Sequence, residues 1–368
     1  MDGTMKMVLT GGGTGGHLYP GLAVAQEVKD RLPCQILFIG TNRGLEAQVV
    51  PQKGYAFRTV WIRGLQRGRF LKNIVFPVRM LVSLIQALFI VGRFHPDVIV
   101  GTGGYVSWPV LSAGLLLGKR TVIQEQNRAP GLVTRVLAPF VDSVHVSFED
   151  SKRFFKKTSN VHVSGNPTRN DLEGWSKEQG YSHWHLESKR TTLFIFGGSQ
   201  GALSINRAML DLLQDLMNHT DVQLLWATGP RWFDELQRKT ETYRNRVRVH
   251  PYIQEMGMAY AVCDLVVCRA GATTVAEITR LGIPAVFIPF PGAAGGHQTE
   301  NAQVLVRAGA AGMVLEEEIP SGKLRDVVLD LLKKHSSRRA LAKRAKEFGR
   351  PEAVKIIADD IIEKGTLS

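Results

Sequence analysis

The sequence is poor in cysteine, and the three cysteines that it contains argue against an exported or zinc-stabilised protein. Cys34, Cys263 and Cys268 are the only cysteines in 368 residues, too few for a disulfide framework. The last two lie in the apolar run CDLVVC. We therefore expect the cysteines to be buried and reduced, as in a cytosolic protein. The pair supplies half of a structural zinc site, and no second pair completes it.

Targeting and membrane-spanning signals are also lacking. The start of the chain, MDGTMKMVLT, has no basic segment followed by a long apolar run, so we expect no signal peptide. The uncharged stretch Val98–Gly118 has the length of a membrane span, but GTGGY and Pro109 interrupt it and favour a strand, a loop and a helix. The apolar run Met80–Val91 is too short to span a bilayer.

Acidic residues are missing between Glu46 and Asp97, although the net charge of the whole chain is +13. Basic residues alternate with apolar ones in this stretch, which suits an anionic membrane surface. A solvated basic face above apolar core residues is the alternative. Nucleic acid is not expected as a partner, because no helix-turn-helix, zinc finger or RNA-binding aromatic motif accompanies the charge. The residues expected at the membrane surface are Arg63, Arg67, Arg69, Lys72, Ile74, Val75 and Phe76.

One local pattern occurs twice: an apolar run, a glycine-rich loop and then a helical pattern. The copies are Met7–Val28, MVLTGGGTGGHLYPGLAVAQEV, and Thr192–Met209, TLFIFGGSQGALSINRAM. Glycines let the backbone approach a ligand closely, and the following helix directs unpaired N–H groups and the positive end of its dipole towards it. We expect each loop to bind an anionic group, and the pair predicts two α/β domains.

Apolar runs and helical patterns alternate along both halves, which predicts a doubly wound parallel sheet in each. The segment VSGNPTRNDLEGWSKEQGYSHW is polar and rich in turn residues, and Asn166 and Pro167 within it mark a predicted hinge. The predicted domains are residues 1–165 and 166–349, with the C-terminal helix, residues 350–368, packed on the first. The predicted strands are Met5–Thr10, Gln35–Ile39, Phe57–Ile62, Val98–Val100, Thr121–Gln124, Ser143–Val146, Thr192–Phe196, Gln223–Ala227, Val247–Val249, Leu265–Val267, Ala285–Ile288 and Met313–Leu315.

His17 directly follows the first glycine loop, at the start of a helix. The helix dipole disfavours a charged imidazolium there, so His17 is a candidate general base. A histidine that only caps the turn is the alternative. A dinucleotide site would require an acidic residue at the end of the second strand, and ILFIGTNRG has none. A nicotinamide-dependent dehydrogenase is therefore not expected.

The second half contains polar residues that suit a nucleotide-sugar site. Glu277 lies in a helix after a glycine turn and could accept hydrogen bonds from the hydroxyls of a ribose. Gln298 and Asn301 lie one helical turn apart and could bind sugar hydroxyls. Each alone could equally be a cap or a surface group, but together with Ser199 and Arg169 they form a candidate site. Because the chain has no Asp-x-Asp motif, we expect arginine, backbone amides and a helix N-terminus to stabilise a departing nucleoside diphosphate.

The motifs GGTGGH, IRGL, GTGGY, QEQN, GNPTR, GGSQGA, RAGATTVAE and HQTENA occur in this order over nearly the whole chain. Together they resemble the MurG family, which transfers GlcNAc from UDP-GlcNAc to undecaprenyl-diphosphate-MurNAc-pentapeptide (lipid I) and forms lipid II. The resemblance implies the α/β GT-B fold, two Rossmann-like domains that face a cleft. It implies an acceptor site in the first domain, a donor site in the second, and inverting chemistry without metal or cofactor at the cytoplasmic face of the membrane.

The matching motifs also imply roles for individual residues. His17 and Glu125 are the candidate catalytic residues, and Gly103, Gly104 and Tyr105 belong to the acceptor cleft. Ile253 would contact uracil through its backbone. The positions implied for donor and substrate binding are Thr14, Gly15, Gly16, Asn127, Arg169, Ser199, Ile253, Ala272, Thr273, Thr274, Val275, Ala276, Glu277, Gln298 and Asn301.

Two positions depart from the family pattern, and two other functions stay open. Gln124 occupies a position where the family usually has histidine, and Thr134 one where it frequently has asparagine.

A UDP-GlcNAc 2-epimerase-like enzyme would share the fold but have no use for the basic, apolar segment. A non-catalytic membrane-surface protein would use that segment but would not need His17 beside a donor pocket.

Overall fold

The structure is a computed structural model that describes residues 4–64 and 74–366. It divides into two compact units, Met1–Arg169 together with Arg350–Ser368, and Asn170–Gly349. The first unit therefore extends past the predicted boundary at residue 165. The reason is local: Asn166 is buried and accepts a hydrogen bond from Gln124 at 3.1 Å, which attaches the GNPTR segment to the first unit.

The described part of the first unit forms a seven-stranded parallel sheet. The strand order is β3-β2-β1-β4-β5-β6-β7. Because β1 pairs with both β2 and β4, the chain reverses its direction of winding there, and the loops after β1 and β4 meet at the carboxyl edge. The strands are β1 (Met5–Thr10), β2 (Cys34–Gly40), β3 (Ala56–Thr59), β4 (Val98–Gly101), β5 (Arg120–Glu125), β6 (Ser143–Val146) and β7 (Val161–Val163).

Helices cover this sheet and bury their apolar stripes against it. The C-terminal helix, Ala353–Thr366, packs on α1 and β1 and belongs to the first unit. Its Ile357, Ala358 and Ile361 are buried in the same cluster as Met7 of β1. The other helices are α1 (Gly15–Arg31), α2 (Glu46–Gln52), α3 (Phe76–Phe94), α4 (Ser107–Leu116) and α5 (Leu132–Leu137).

Helix α3 extends beyond the apolar run Met80–Val91 at both ends. It comprises 19 residues, and among the described residues it is the one helix long and apolar enough to cross a membrane by length and composition. The expectation that this region is too short to span was therefore wrong. However, Ser83, Ala87 and Val91 are buried along one face of α3, and α4 packs against it. This face contributes to the core of the first unit.

The second unit repeats the topology of the first. Its described strands form a parallel sheet in the order β10-β9-β8-β11-β12-β13, with β8 between β9 and β11. Trp226 is fully buried at the centre, and its indole Nε1 donates to Asn206 Oδ1 at 3.1 Å. The strands are β8 (Thr191–Phe196), β9 (Val222–Ala227), β10 (Val247–His250), β11 (Leu265–Cys268), β12 (Ala285–Phe287) and β13 (Gly312–Met313).

Helices alternate with the strands of the second unit along the chain. They are α6 (Lys177–His183), α7 (Leu203–Asp211), α8 (Leu213–His219), α9 (Phe233–Thr240), α10 (Met256–Val262), α11 (Ala272–Leu281), α12 (His297–Arg307), α13 (Lys323–Lys333) and α14 (His335–Glu347). All three cysteines are free thiols, but only Cys268 is fully buried; Cys34 and Cys263 are half-buried, which corrects the expectation for these two.

Candidate active site

The first glycine loop connects β1 to α1 and carries His17 on the first turn of the helix. Thr14, the N-cap residue, makes no side-chain capping bond, so it leaves the first-turn N–H groups at Gly15 and Gly16 without that partner. Gly13 has φ of 82°, a backbone conformation that favours glycine. The loop thus presents an exposed tip at Gly13 and Thr14, and places His17 directly behind it.

Glu46, at the start of α2, holds this loop and was missed by the sequence analysis. Its carboxylate is buried and accepts hydrogen bonds from the Gly13 N–H at 3.0 Å, the Thr41 N–H at 3.1 Å and the Thr41 hydroxyl at 2.8 Å. A Cβ on Gly12 would lie 2.5 Å from the carboxyl group. The Gly13 N–H is therefore already occupied within the protein, and no local motif marked Glu46 for this role.

The GTGGY loop after β4 packs against the first glycine loop through two further glycines. Gly103 and Gly104 have φ of 100° and 81°. A Cβ would lie 2.7 Å from His17 Nδ1 at the first position and 2.6 Å from the Gly12 carbonyl oxygen at the second. Tyr105, whose pKa is raised by burial, contacts the same loop beside Gly13. The structure therefore places Gly103 beside His17, and Gly104 and Tyr105 against the first glycine loop.

His17 is half-buried and its ring is held at one nitrogen. Nδ1 lies 3.0 Å from Gln126 Oε1 and 3.2 Å from the Thr102 carbonyl oxygen. The Thr102 hydroxyl in turn donates to the His17 carbonyl oxygen at 2.7 Å. The imidazole is thus an ordered side chain at the carboxyl edge of the sheet, the position where α/β proteins bind their ligands.

Glu125, the other candidate catalytic residue, is buried at the end of β5 and surrounded by donors. One carboxylate oxygen accepts from the Asn127 N–H at 3.1 Å, and the other from the Gly131 N–H at 3.0 Å and the Thr134 hydroxyl at 2.7 Å. The Asn127 side-chain amide adds a fourth contact at 3.4 Å. These bonds occupy both carboxylate oxygens and fix the loop after β5, so Glu125 has a structural role within the first unit. Thr134 accordingly keeps a hydrogen bond at one of the two departures from the family pattern.

The second glycine loop, Gly197–Gly201, connects β8 to α7 and is more open than the first. Gly201 has φ of 73°, and a Cβ on it would lie 2.0 Å from the Thr228 carbonyl oxygen. Gly198, with φ of 94°, faces open space, since no atom lies within 4 Å of its Cβ position. Ser199 is exposed beside it. The base of this loop is therefore packed and its tip is accessible.

Helix α11 begins after the Gly271 turn and carries the predicted ribose ligand on its second turn. Glu277 is buried, and its carboxylate accepts a hydrogen bond from the Tyr260 hydroxyl of α10 at 3.0 Å. The Thr273 hydroxyl is buried on the first turn and has no hydrogen-bond partner among the described residues. Tyr260 was missed, because no spacing within α10 relates it to Glu277. Of the remaining predicted positions, Ala272 and Val275 are buried and Thr274 and Ala276 are half-buried.

Arg269 stabilises the loops around α11 and was also missed. Its guanidinium donates to the carbonyl oxygens of Ile288 at 3.0 Å and Pro289 at 3.2 Å and pairs with Glu316. It also lies over the ring of Phe290, 5.2 Å from the centroid. Arg269 therefore fixes the start of the PFPGAAGG loop after β12.

Gln298 and Asn301 support the same loops. Gln298 Oε1 accepts from the Phe290 N–H at 2.9 Å, and the Asn301 amide donates to the Ala270 carbonyl oxygen at 3.4 Å. Asn301 is 0% exposed and Ile253 is 2% exposed. The Asn301 amide thus supports the loop at Ala270, and its contact with the sugar stays a prediction. The burial of Ile253 leaves its predicted backbone contact as a prediction.

The candidate residues are divided between the two units. His17, the acceptor residues, Asn127 and the half-buried Arg169 belong to the first, whereas Ser199, Glu277 and the other donor residues belong to the second. Within residues 4–64 and 74–366, no group of three or more His, Cys, Asp or Glu side chains is arranged to hold a metal ion.

Comparisons with known proteins assign both units to one family. Residues 7–146 match the glycosyltransferase family 28 N-terminal domain, and residues 192–357 match the C-terminal domain of that family. The UDP-N-acetylglucosamine–N-acetylmuramyl-(pentapeptide) pyrophosphoryl-undecaprenol N-acetylglucosamine transferase of Chlorobaculum tepidum is 45% identical over 363 residues, which cover 97% of this chain and 99% of the relative.

Solved structures agree with this assignment. The crystal structure of Acinetobacter baumannii MurG superposes with a TM-score of 0.80 at 26% identity, covering 98% of this chain and 99% of that one. A putative UDP-N-acetylglucosamine 2-epimerase from Listeria monocytogenes reaches a TM-score of 0.64 at 13% identity, covering 96% of this chain and 94% of that one, and shares the fold alone. Two parallel-sheet units, both family 28 domain matches and 45% identity over nearly the full length establish that the chain is a GT-B glycosyltransferase of the MurG family.

Proposed function

We propose that this chain transfers GlcNAc from UDP-GlcNAc to the C4 hydroxyl of MurNAc in lipid I and forms lipid II. The observation that carries this proposal is His17, which is ordered by Gln126 and Thr102 between two glycine loops at the carboxyl edge of the first sheet. A base is what a sugar hydroxyl requires to become a nucleophile. The nearly full-length identity to transferases of this name supports the same reaction.

The proposed mechanism is a single displacement with inversion, because the donor is an α-glycoside and the product is β-linked. His17 accepts the proton of the C4 hydroxyl as its oxygen attacks C1 of GlcNAc. The glycine loops of the first unit bind the diphosphate of lipid I. In the second unit Glu277, oriented by Tyr260, binds the ribose of the donor. Glu125 is the alternative base, and its four donors argue against it.

We further propose that the reaction needs no metal ion. UDP leaves as an anion, and its charge requires stabilisation in the transition state. Arg169, Ser199 at the open tip of the second loop and the first turn of α11 with the unpartnered Thr273 hydroxyl supply positive charge and donors. We expect turnover of a soluble lipid I analogue to persist in EDTA. Loss of turnover with EDTA that Mg²⁺ restores would contradict the proposal.

The decisive assay follows UDP release with UDP-GlcNAc and a lipid-linked acceptor. A transferase releases UDP only when the acceptor is present, and the sugar appears in the product. UDP release without acceptor, together with a 2-epimerised sugar, would instead support the epimerase-like alternative. Absence of turnover combined with vesicle binding would support a non-catalytic membrane-surface protein.

We also propose that the first unit binds the membrane surface through an apolar surface formed by α3, α4, α5 and residues adjacent to α3 and α5. This apolar surface comprises Ile74, Val75, Val78, Leu81, Ile85, Phe89, Leu116, Leu132, Val136 and Phe140, which are all exposed. Phe89 is 71% exposed and Phe140 69%, far more than is usual for phenylalanine. Helix α4 packs against both α3 and α5, so the three helices are neighbours.

The apolar surface includes only some of the residues that the sequence predicted at the membrane. Ile74 and Val75 are exposed as expected, whereas Phe76 is half-buried. Arg67, Arg69 and Lys72 lie outside the described residues. Arg63 is exposed, and so are Arg93 and Arg135 on α3 and α5, so cations accompany the apolar surface. An apolar helix face with nearby cations is suited to the interface of an anionic bilayer, as a peripheral enzyme at the cytoplasmic face requires.

Vesicle flotation separates the apolar and the electrostatic contributions. Leu81→Gln, Ile85→Gln and Phe89→Gln combined should reduce binding to neutral and anionic vesicles at any salt concentration, because they remove apolar insertion. Arg67→Gln, Arg69→Gln and Lys72→Gln combined should weaken binding only to anionic vesicles at low salt, by about 1 kcal/mol per cation at most. Unchanged flotation of both variants would refute the membrane role.

A further inference from the structure

The hydrogen bonds around His17 determine which ring nitrogen carries the proton. Nδ1 faces two oxygen atoms, Gln126 Oε1 at 3.0 Å and the Thr102 carbonyl oxygen at 3.2 Å. A carbonyl oxygen only accepts, so a nitrogen that bonds to it must donate. In neutral His17 the proton therefore lies on Nδ1, and Nε2 keeps its lone pair.

The orientation of the Gln126 amide follows from the same carbonyl group. Gln126 Nε2 lies 2.6 Å from the Thr102 carbonyl oxygen, a contact that only the NH₂ end of the amide can make. The oxygen of the amide must then be the atom that faces His17. Gln126 is buried, so water does not compete for either end.

A second glutamine continues this arrangement away from His17. Gln126 Nε2 also donates to Gln124 Oε1, and Gln124 Nε2 donates to Asn166 Oδ1 at 3.1 Å. Each amide thus donates through nitrogen to the oxygen of the next, and all three side chains are buried. None of these amides titrates near neutral pH, so the direction of the chain does not change with pH.

We propose that Gln126 is a positioning residue that, with the Thr102 carbonyl, holds His17 in the Nδ1–H tautomer and makes Nε2 the base of the transfer. This assignment rests on the proposed function for its catalytic meaning. The proton of the attacking hydroxyl moves to Nε2, its oxygen forms a bond to C1 of GlcNAc, and UDP leaves with the electron pair of the broken C1–O bond. The resulting imidazolium keeps both of its Nδ1 acceptors.

The tautomer is measured directly by ¹⁵N NMR of histidine-labelled protein at alkaline pH, where neutral rings are observed. The His17 signals are identified as those missing from His17→Gln. We expect Nδ1 to show the shift of a protonated nitrogen and Nε2 that of an unprotonated one. An Nε2–H ring would overturn the proposal. No substrate is needed, so an inactive chain with the Nδ1–H tautomer would refute the proposed function and leave the tautomer assignment intact.

The role of Gln126 is tested with Gln126→Leu and a matched control, Gln223→Leu. Gln223 is also a buried glutamine, and its amide bonds to the Glu187 backbone and to the Thr192 hydroxyl in the second unit. Gln126→Leu should lower kcat roughly 10-fold or more, leave the KM for UDP-GlcNAc unchanged and reduce the Nδ1–H population. An unchanged tautomer in Gln126→Leu, or an equal loss of kcat in Gln223→Leu, would overturn the assignment of Gln126.

Discussion

The two glycine loops begin as the same sequence pattern and serve different purposes in the structure. In the first unit the Glu46 carboxylate accepts a hydrogen bond from the Gly13 N–H, and Gly103 and Gly104 pack closely against His17 and the loop, so only the tip of this loop is exposed. In the second unit Gly198 faces open space beside the exposed Ser199. A glycine motif therefore indicates a close backbone approach. In the first unit another loop of the protein makes this approach from one side, whereas in the second unit the tip of the loop faces open space.

The largest effect is expected at the residue that the first loop positions. His17→Ala should lower kcat by roughly 10²-fold or more with little change in the KM for UDP-GlcNAc, as expected for a lost general base. Glu125→Gln is the matched comparison. It removes charge from a carboxylate that holds the loop after β5, so it should mainly lower thermal stability. If Glu125→Gln abolishes turnover and His17→Ala is mild, the assigned roles are reversed.

Substitutions at α11, in the unit of the second loop, should change the KM for the donor, in contrast to substitution of His17, which should change kcat. Glu277→Ala should raise the KM for UDP-GlcNAc, because a buried ribose hydroxyl then lacks its partner. The expected loss of donor-binding free energy is about 1–3 kcal/mol. Tyr260→Phe removes only the hydroxyl that donates to Glu277 and should raise the same KM less. The expected loss of donor-binding free energy is about 0.5–1.5 kcal/mol. Steady-state kinetics with the donor varied measures both. An unchanged donor KM in Glu277→Ala would remove this residue from the site.

A smaller effect is expected from Glu46, which makes the first loop rigid. Glu46→Gln keeps one acceptor oxygen but places an NH₂ group against donors, so the Gly13 or Thr41 N–H loses its partner. We expect kcat to fall about 10-fold with the donor KM unchanged, since one misplaced hydrogen bond is worth about 1.4 kcal/mol. A raised donor KM with normal kcat would show that the first loop binds the donor, and the proposed difference between the two glycine loops would then be wrong.

The sequence predicted the sheets well because parallel strands buried on both faces are short apolar runs. Strands such as β1 and β6 have the predicted bounds. β7 was missed because VHV is only three residues long and alternates an exposed histidine with apolar neighbours. The division between the units was placed too early, because the turn residues at Asn166 and Pro167 signalled a hinge although Asn166 is bonded to β5.

The supporting residues of the site could not be predicted, because their contacts are distant in the sequence. Gln126 lies 109 residues from His17 and Glu46 lies 33 residues from Gly13. Neither pair forms a local pattern. Asn301 illustrates another limit of spacing: its amide donates to the Ala270 carbonyl oxygen, and periodicity does not show whether a helical face meets a ligand or the protein. Residue type and spacing suggested the chemistry, and only the fold showed which side chains hold the candidate residues in place.

The smallest effect on activity is expected where the C-terminal helix supports the first unit. Burial alone would raise the pKa of Asp360, but hydrogen bonds from His145, Lys364 and Ser143 outweigh it and hold the pKa well below its ordinary value. His145 Nε2 donates to Asp360 at 3.0 Å, and His162 lies beside the His145 ring. A lowered carboxylate pKa stabilises the fold above the unfolded pKa of about 3.9 and loses that contribution as the pH falls through and below it.

Asp360→Asn should therefore destabilise the protein most at pH 6–8, by about 1–3 kcal/mol, and the difference from the unchanged protein should shrink below about pH 4. Asp359→Asn is the matched control on the same helix: this carboxylate pairs with Arg31 but is 67% exposed, so its loss should cost less than about 1 kcal/mol. Urea unfolding across this pH range measures both. The KM for UDP-GlcNAc should stay constant, because the helix packs on β1 and α1 and belongs to the first unit. An equal pH dependence in both variants would show that Asp360 does not anchor the helix. A changed donor KM would show that the second loop depends on the packing of the C-terminal helix on the first unit.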